Sequence, residues 1–383
     1  MQNDKIIYLD NQSTTPIDPL VLDEMMPYLS SKFGNASSQT HRLGWEANEA
    51  IEKYRFYIAD LINSVEDEII FTSGATESNN LALKGSAYNK SNNGNHIITL
   101  KTEHKAVLDV CKALSKNGFN ITYLDTLENG IVDLELIEQN ITEQTILISI
   151  MHANNETGVI QPLKNIGEIC KRNNILFHVD AAQSAGKILI DVNNFNIDLL
   201  SISAHKIYGP KGIGALFIKK SIQQKILSQI DGGGQEHNLR GGTLPTHLIA
   251  GFGKACEICI DVFNQESMKI SKLSNRMKDI FNANFKNHKI NGDLHNRLPG
   301  NINICFTNLD TKKLIMSLPN IAFSLGSACT SNTTQPSHVL LAMGLNKMEA
   351  SSSIRLSIGR FNTMDEISTA GEILSNTIKK IKS

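Results

Sequence analysis

Lys206 lies in the stretch Ser201-Ile202-Ser203-Ala204-His205-Lys206-Ile207-Tyr208-Gly209-Pro210, after a short apolar run and before a cluster of turn formers that continues to Gly212 and Gly214. A lysine at such a bend, beside Ser203 and His205, can be desolvated enough to lower its pKa and make its amine a nucleophile able to form a Schiff base. The plainer reading is an exposed loop lysine. Asp180 closes the apolar stretch Ile175-Leu176-Phe177-His178-Val179. A carboxylate there needs a partner, either a helix start that it caps or a protonated ring nitrogen. Ser73-Gly74-Ala75-Thr76 sits between an extended and a helical segment, where free backbone N–H groups and the positive end of the helix dipole hold phosphate, or where Ser and Thr serve only as caps. His104 follows another extended segment and could lie flat over an aromatic ring, carry protons near neutral pH, or rest in the core.

The elements that must position these residues alternate in type. Glu68 to Ser73, His96 to Lys101, Phe119 to Asp125, Thr145 to Met151, Ile175 to Asp180, Asp198 to Ser203 and Ala215 to Ile218 have strand character. Helical patterns over Ser78 to Tyr88, Lys105 to Lys116 and Leu163 to Asn173 separate some of them. This predicts an α/β fold with a mostly parallel seven-stranded sheet, and ligands of such sheets bind beyond the carboxyl ends of the strands. All four candidates fall at such ends, as does His152 to Glu156. Beyond about residue 260 the texture changes to a helical stretch from Gln265 to Phe285, a strand-like Asn301 to Phe306, the small-residue segment Phe323 to Asn332, Ile354 to Ile358 and a closing helix. The division expected is a large domain over 16–260 and a smaller α+β domain over 1–15 and 261–383.

Composition narrows the partners. The chain has 383 residues, 41% of them hydrophobic and 20% charged, with 37 Lys plus Arg against 38 Asp plus Glu. Such a balance provides no bulk field for nucleic acid or an anionic membrane, so small polar molecules are the expected ligands. The N-terminus lacks the pattern of a signal peptide, and no apolar run approaches the about 20 residues of a membrane span. A cytoplasmic location is therefore expected. The six cysteines are too dispersed for a disulfide framework. Cys256 and Cys259 form a Cys-x-x-Cys without a second ligand pair, which reads as buried small residues on a helix, and no metal site is expected.

Together a Schiff-base lysine, a ring-nitrogen partner, a phosphate cradle and a stacking side chain make up the parts of a pyridoxal phosphate site. A dinucleotide reading fails because no Gly-x-Gly-x-x-Gly opens a first strand-turn-helix.

The motifs carry a resemblance from end to end. Tyr8-Leu9-Asp10-Asn11, Phe33-Gly34-Asn35, Phe71 to Asn79, Lys101 to His104, Asn154-Asn155-Glu156, His178-Val179-Asp180 with Gln183, the Lys206 segment, Arg240 to Thr243, Gly326 to Ser331 and Ser353-Ile354-Arg355 follow in order. The chain resembles the cysteine desulfurases of the NifS/IscS type, in the class V aminotransferase branch of the fold-type I pyridoxal phosphate enzymes. The resemblance implies that Lys206 holds the cofactor and moves the Cα proton, that Asp180 pairs with the pyridine nitrogen, and that Gln183 contacts the ring hydroxyl. It implies that Thr76, the Ala75 amide, Ser203 and His205 hold the phosphate, with Thr243 reaching that of the neighbouring subunit of a homodimer. His104 would stack on the ring, Asn155 and Arg355 would grip the substrate carboxylate, and Cys329 would take the sulfur.

L-cysteine would thus become L-alanine with a persulfide on Cys329, for iron-sulfur cluster assembly or tRNA thiolation through an acceptor protein. The small polar surroundings of Cys329 suit a loop that delivers sulfur elsewhere. His237, Ser13, Ala36 and Ala182 depart from the usual pattern without removing a chemical role. The chain also stops at Ser383, short of the segment with which IscS-like members dock a scaffold, which leaves the acceptor open. Alternative readings are a selenocysteine lyase, a class V aminotransferase, or a catalytically silent sulfur-carrier subunit. The Cys329 segment speaks against the aminotransferase, and Lys206, Asp180 and Arg355 together speak against the silent subunit.

Overall fold

The computed structural model describes residues 6–89, 94–325 and 336–382. The short strand β1 (Ile7–Tyr8) is followed by the seven strands of a large sheet: β2 (Ile69–Thr72), β3 (His96–Leu100), β4 (Asn120–Leu124), β5 (Thr145–Ser149), β6 (Leu176–Asp180), β7 (Leu199–Ser203) and β8 (Gly214–Ile218). Their order across the sheet is β2-β8-β7-β6-β5-β3-β4. Strand β8 runs antiparallel to both of its neighbours and every other pair is parallel. Because β2 and β7 both oppose β8, the carboxyl ends of β2, β3, β5, β6 and β7 lie along one edge. The strands have almost no polar alternation: β2, β3, β7 and β8 are buried at every position, as a sheet covered on both faces requires.

Beyond this sheet lie β9 (Lys289–Ile290), β10 (Asn301–Cys305), β11 (Ile321–Ala322), β12 (Ser324–Leu325) and β13 (Ser353–Ser357). Strands β12, β13, β10 and β9 make a second sheet, and β1 pairs with β11. The described residues form four buried clusters, of which one of the two on the large sheet and the one on the second sheet bear on the division of the chain. One contains Phe71, Ile98, Phe177, Ile202 and Phe252, the other Leu9, Phe281, Phe306, Leu356 and Leu374.

Two expectations are corrected. The helical stretch expected over Gln265 to Phe285 and the helix expected at Cys256 and Cys259 are one helix, Thr246–Asn284, of 39 residues. Its buried face passes from Ile249, Phe252 and Cys256 in the first cluster to Met277 and Phe281 in the second, and a polar middle around Asn264-Gln265-Glu266 does not break a helix that contains no Gly or Pro there. The helix expected from Ser78 begins at Ala75, directly after Gly74. Gly74 has a φ of 147°, and a Cβ on Gly214 would come within 2.7 Å of the Gly74 Cα. Two glycines thus meet where β8 enters the sheet, and the chain turns from β2 into the helix in the space they leave.

Candidate active site

A cavity of about 490 Å³ opens at the carboxyl edge of the large sheet, and the candidates brought there by the sheet come from the ends of β2, β3, β5, β6 and β7. Ser73, Gly74, Ala75 and Thr76 follow β2. His104 follows β3, Asn155 follows β5, Asp180 and Gln183 close β6, and Ser203, His205 and Lys206 close β7. Arg355, from the middle of β13, completes the lining from the second sheet. Thr243 is exposed and outside this cavity. Cys329 lies outside the described residues.

Lys206 Nζ donates to the carbonyls of Gln12 (2.7 Å) and Ser13 (2.6 Å), so its amine is held at the floor of the cavity by backbone oxygens. Asp180 is 6% exposed. Its Oδ2 accepts from Asn79 Nδ2 (2.8 Å) and its Oδ1 from the Ala182 amide (2.9 Å), with no ion pair to it among the described residues. Gln183 donates from Nε2 to the Gln12 carbonyl (2.9 Å), while its Oε1 is buried without a partner among the described residues. His205 meets Thr14 Oγ1 at 3.1 Å, and burial, reinforced by Lys206, pushes its pKa down to about 4, leaving a neutral ring. His104 Nδ1 accepts from the Ala106 amide (3.1 Å), so the ring caps the helix Lys105–Lys116 and is fixed in place by it.

Arg355 is 2% exposed. Its Nη1 donates to the Asn155 carbonyl (2.7 Å), and its Nη2 to Asp10 Oδ1 and Ser13 Oγ (both 2.7 Å). Its Nε and Asn155 Oδ1 are buried without partners among the described residues. Several titratable groups beside the cavity lining are buried. Burial pushes Glu103 well above the usual carboxylate range and pushes His152 and His178 down to about 4. Asp180, at the end of β6, is the carboxylic side chain placed to meet a cationic ring nitrogen.

The donors and acceptors fit pyridoxal phosphate on the strength of what they lack. No side chain caps the helix Ala75–Ala87 at Gly74, leaving its first turn open to a phosphate. Asp180 is a buried carboxylate without a bonded cation, and the unpaired Gln183 Oε1 belongs to the same cavity. Gln12, Asn79, Asp10 and Ser13 were not singled out as site residues by the sequence. Asp10 and Asn79 lie inside quoted motifs, but Gln12 acts through its backbone carbonyl, for which side-chain chemistry offers no signal.

The aminotransferase class-V family model matches residues 7–369. The chain belongs to this family. Its members depend on pyridoxal phosphate, the group that the donors and acceptors of this cavity fit. The chain is 49% identical over 376 residues to a cysteine desulfurase IscS of Rickettsia felis (strain ATCC VR-1525 / URRWXCal2), covering 98% of this chain and 92% of that one. A probable mitochondrial cysteine desulfurase of Dictyostelium discoideum is also 49% identical, over 98% of this chain and 84% of that protein. Among solved structures, a NifS-like protein superposes with a TM-score of 0.91 at 36% identity, over 98% of this chain and all of the other. SspA in complex with cysteine superposes with a TM-score of 0.84 at 40% identity, over 93% and 99% of the two chains.

Proposed function

We propose that this chain is a pyridoxal phosphate-dependent cysteine desulfurase that converts L-cysteine to L-alanine and passes the sulfur to Cys329. The observation that carries the reading is the convergence of Lys206, Asp180 and Arg355, from three separate strands, on one cavity. The names of its relatives and the cysteine-bound neighbour support the same substrate.

Each residue has a task that its setting suits. Arg355 and the Asn155 side chain grip the substrate carboxylate, the guanidinium as a planar fork and the Asn155 Nδ2 amide as a second donor. Lys206 takes the proton from Cα and returns it, its amine steered by the Gln12 and Ser13 carbonyls. Pyridoxal phosphate, when bound, supplies the carbonyl that joins the substrate amine and the protonated ring that takes up the electron pair left at Cα. Asp180 would keep that ring nitrogen protonated, and Gln183 would meet the ring oxygen. Ala75, Thr76, Ser203 and His205 would hold the phosphate, and His104 would cover the ring. The Cys329 thiolate attacks the substrate sulfur. The S–S bond forms as the Cβ–S bond breaks, and the carbon fragment takes up protons and leaves as alanine.

The active unit is a homodimer in which Thr243 of one subunit completes the phosphate site of the other. We place it in the cytoplasm, with delivery of the persulfide sulfur to a protein acceptor of iron-sulfur cluster assembly or tRNA thiolation. No helix among the described residues is long and apolar enough to cross a membrane. Two of the buried clusters support a division of the chain into 16–260 and 1–15 with 261–383. Purified protein given cysteine should release alanine in step with protein-bound sulfur. Turnover of selenocysteine but not cysteine would replace this reading with a selenocysteine lyase.

A further inference from the structure

Glu77 stands in the first turn of the helix Ala75–Ala87, the turn that must take the cofactor phosphate. Its Oε2 accepts from the Ser73 amide at 2.8 Å and so holds the bend around Gly74. An acidic side chain is favourable at a helix N-terminus by itself. Here, however, a second and more highly charged anion must occupy the same end, and two anions a few ångströms apart repel. Arg240 answers this: its Nε donates to Glu77 Oε1 at 2.9 Å, with the two side chains only 19% and 17% exposed, where solvent screens incompletely. Burial opposes the charged form of Glu77, but the Arg240 and Ser73 bonds outweigh it and hold the carboxyl below its ordinary range.

The position of Arg240 is itself built. Glu236, His237 and Asn238 have φ of 48°, 56° and 65°, three successive non-glycine residues in the left-handed region. The Glu236 carboxylate offsets that strain with a two-pronged ion pair to Arg55 (2.9 Å each) and a bond from the Phe71 amide (2.6 Å) of the edge strand β2. The segment is thereby anchored to β2 at Glu236 and to the cradle helix at Arg240. On its far side Glu77 also lines a second cavity of about 330 Å³ together with Arg240 and Ile230.

We infer that Glu77 and Arg240 form a charge-cancelling pair at the phosphate cradle, in which Glu77 shapes the Ser73–Gly74 bend and Arg240 removes the cost of its charge without itself binding phosphate. The inference rests on the cofactor site described above. Both act as positioning residues.

The test is a double-mutant cycle on the holoenzyme, read as the rate of cofactor release from the decay of its absorption band. A parallel readout is the shift that inorganic phosphate causes in the Tm of the apoprotein. Arg240→Gln should release pyridoxal phosphate about tenfold faster, since a partly buried carboxylate then faces the phosphate uncompensated. Glu77→Gln, which keeps an acceptor for Ser73, should release it no faster than the parent. The double variant should return to within about twofold of the parent. A double variant as leaky as Arg240→Gln would mean that Arg240 attracts the phosphate directly and would overturn the inference, as would unchanged release from Arg240→Gln. Should Arg240→Gln not fold, faster release from Glu77→Gln alone would overturn it and release no faster would support it. A parent that binds no pyridoxal phosphate would instead sink the cofactor site.

Discussion

Arg355 meets Asn155 through one guanidinium nitrogen and Asp10 with Ser13 through the other, so its plane is set before any substrate arrives. A lysine at this position could keep the charge but not the fork. Arg355→Lys should therefore raise KM for cysteine by about tenfold or more while changing kcat less. An unchanged KM would place the carboxylate grip elsewhere. Lys206 and Cys329 act at different steps, so their removal should leave different remnants. Lys206→Ala should lose the cofactor band and alanine formation together. Cys329→Ala should keep the band, because Lys206, Asp180 and Arg355 are intact, yet yield little alanine and no protein-bound sulfur. Alanine release at the parental rate from Cys329→Ala would assign the attack to another group. At this scale the sequence was most legible where a side chain acts: the strand-end residues from Ala75 to Lys206 converge as expected. It was silent where a backbone carbonyl acts, as Gln12 does for both Lys206 and Gln183.

Elements were legible where their period was clean. The apolar runs of the inner large-sheet strands stood out because both faces of the sheet are covered there, and the helix Lys105–Lys116 matches its expected bounds. The helix Thr246–Asn284 was divided in two because its middle lies between the two cores and loses its apolar stripe. What no local pattern shows is how elements of the two sheets interlock. The turn after β5 is an example: the Glu156 carbonyl accepts from Asn301 and Asn303 of β10, and its carboxylate accepts from Ser337. Burial raises Glu156 to about 7, although Ser337, Arg355 and His104 work against that rise. The native state therefore holds this proton where the unfolded chain, with a carboxyl near its ordinary value, has released it. This contribution is complete below about pH 4.5 and is lost as pH climbs through about 7, a span worth about 3 kcal/mol. Glu156→Gln removes the titration and keeps an acceptor for Ser337. Its Tm should fall less than the parent's between pH 5 and pH 8, and parallel Tm profiles would show that Glu156 does not titrate in that window.

At the scale of the whole molecule, the surface carries features that one subunit does not use. Leu20, Met26 and Leu29 on the helix Pro19–Ser30 are 58%, 50% and 53% exposed, and Phe33 just beyond is 68% exposed. Apolar side chains gathered on one helix and its following turn are characteristic of a surface that is covered in the assembled protein. Thr243, exposed and outside the cavity of its own chain, is available to a neighbour. In a two-fold dimer one surface can serve both purposes, covering the apolar helix and carrying Thr243 to the opposite cradle, because each contact is made twice. The two roles separate experimentally. Leu29→Asp together with Phe33→Asp should shift the mass measured by light scattering from dimer towards monomer and speed cofactor release with it. Thr243→Ala should leave the dimer mass unchanged and speed release alone, since it removes a phosphate contact but no apolar cover. A fully active monomer that holds its cofactor as tightly as the parent would show that each cavity is complete within its own chain.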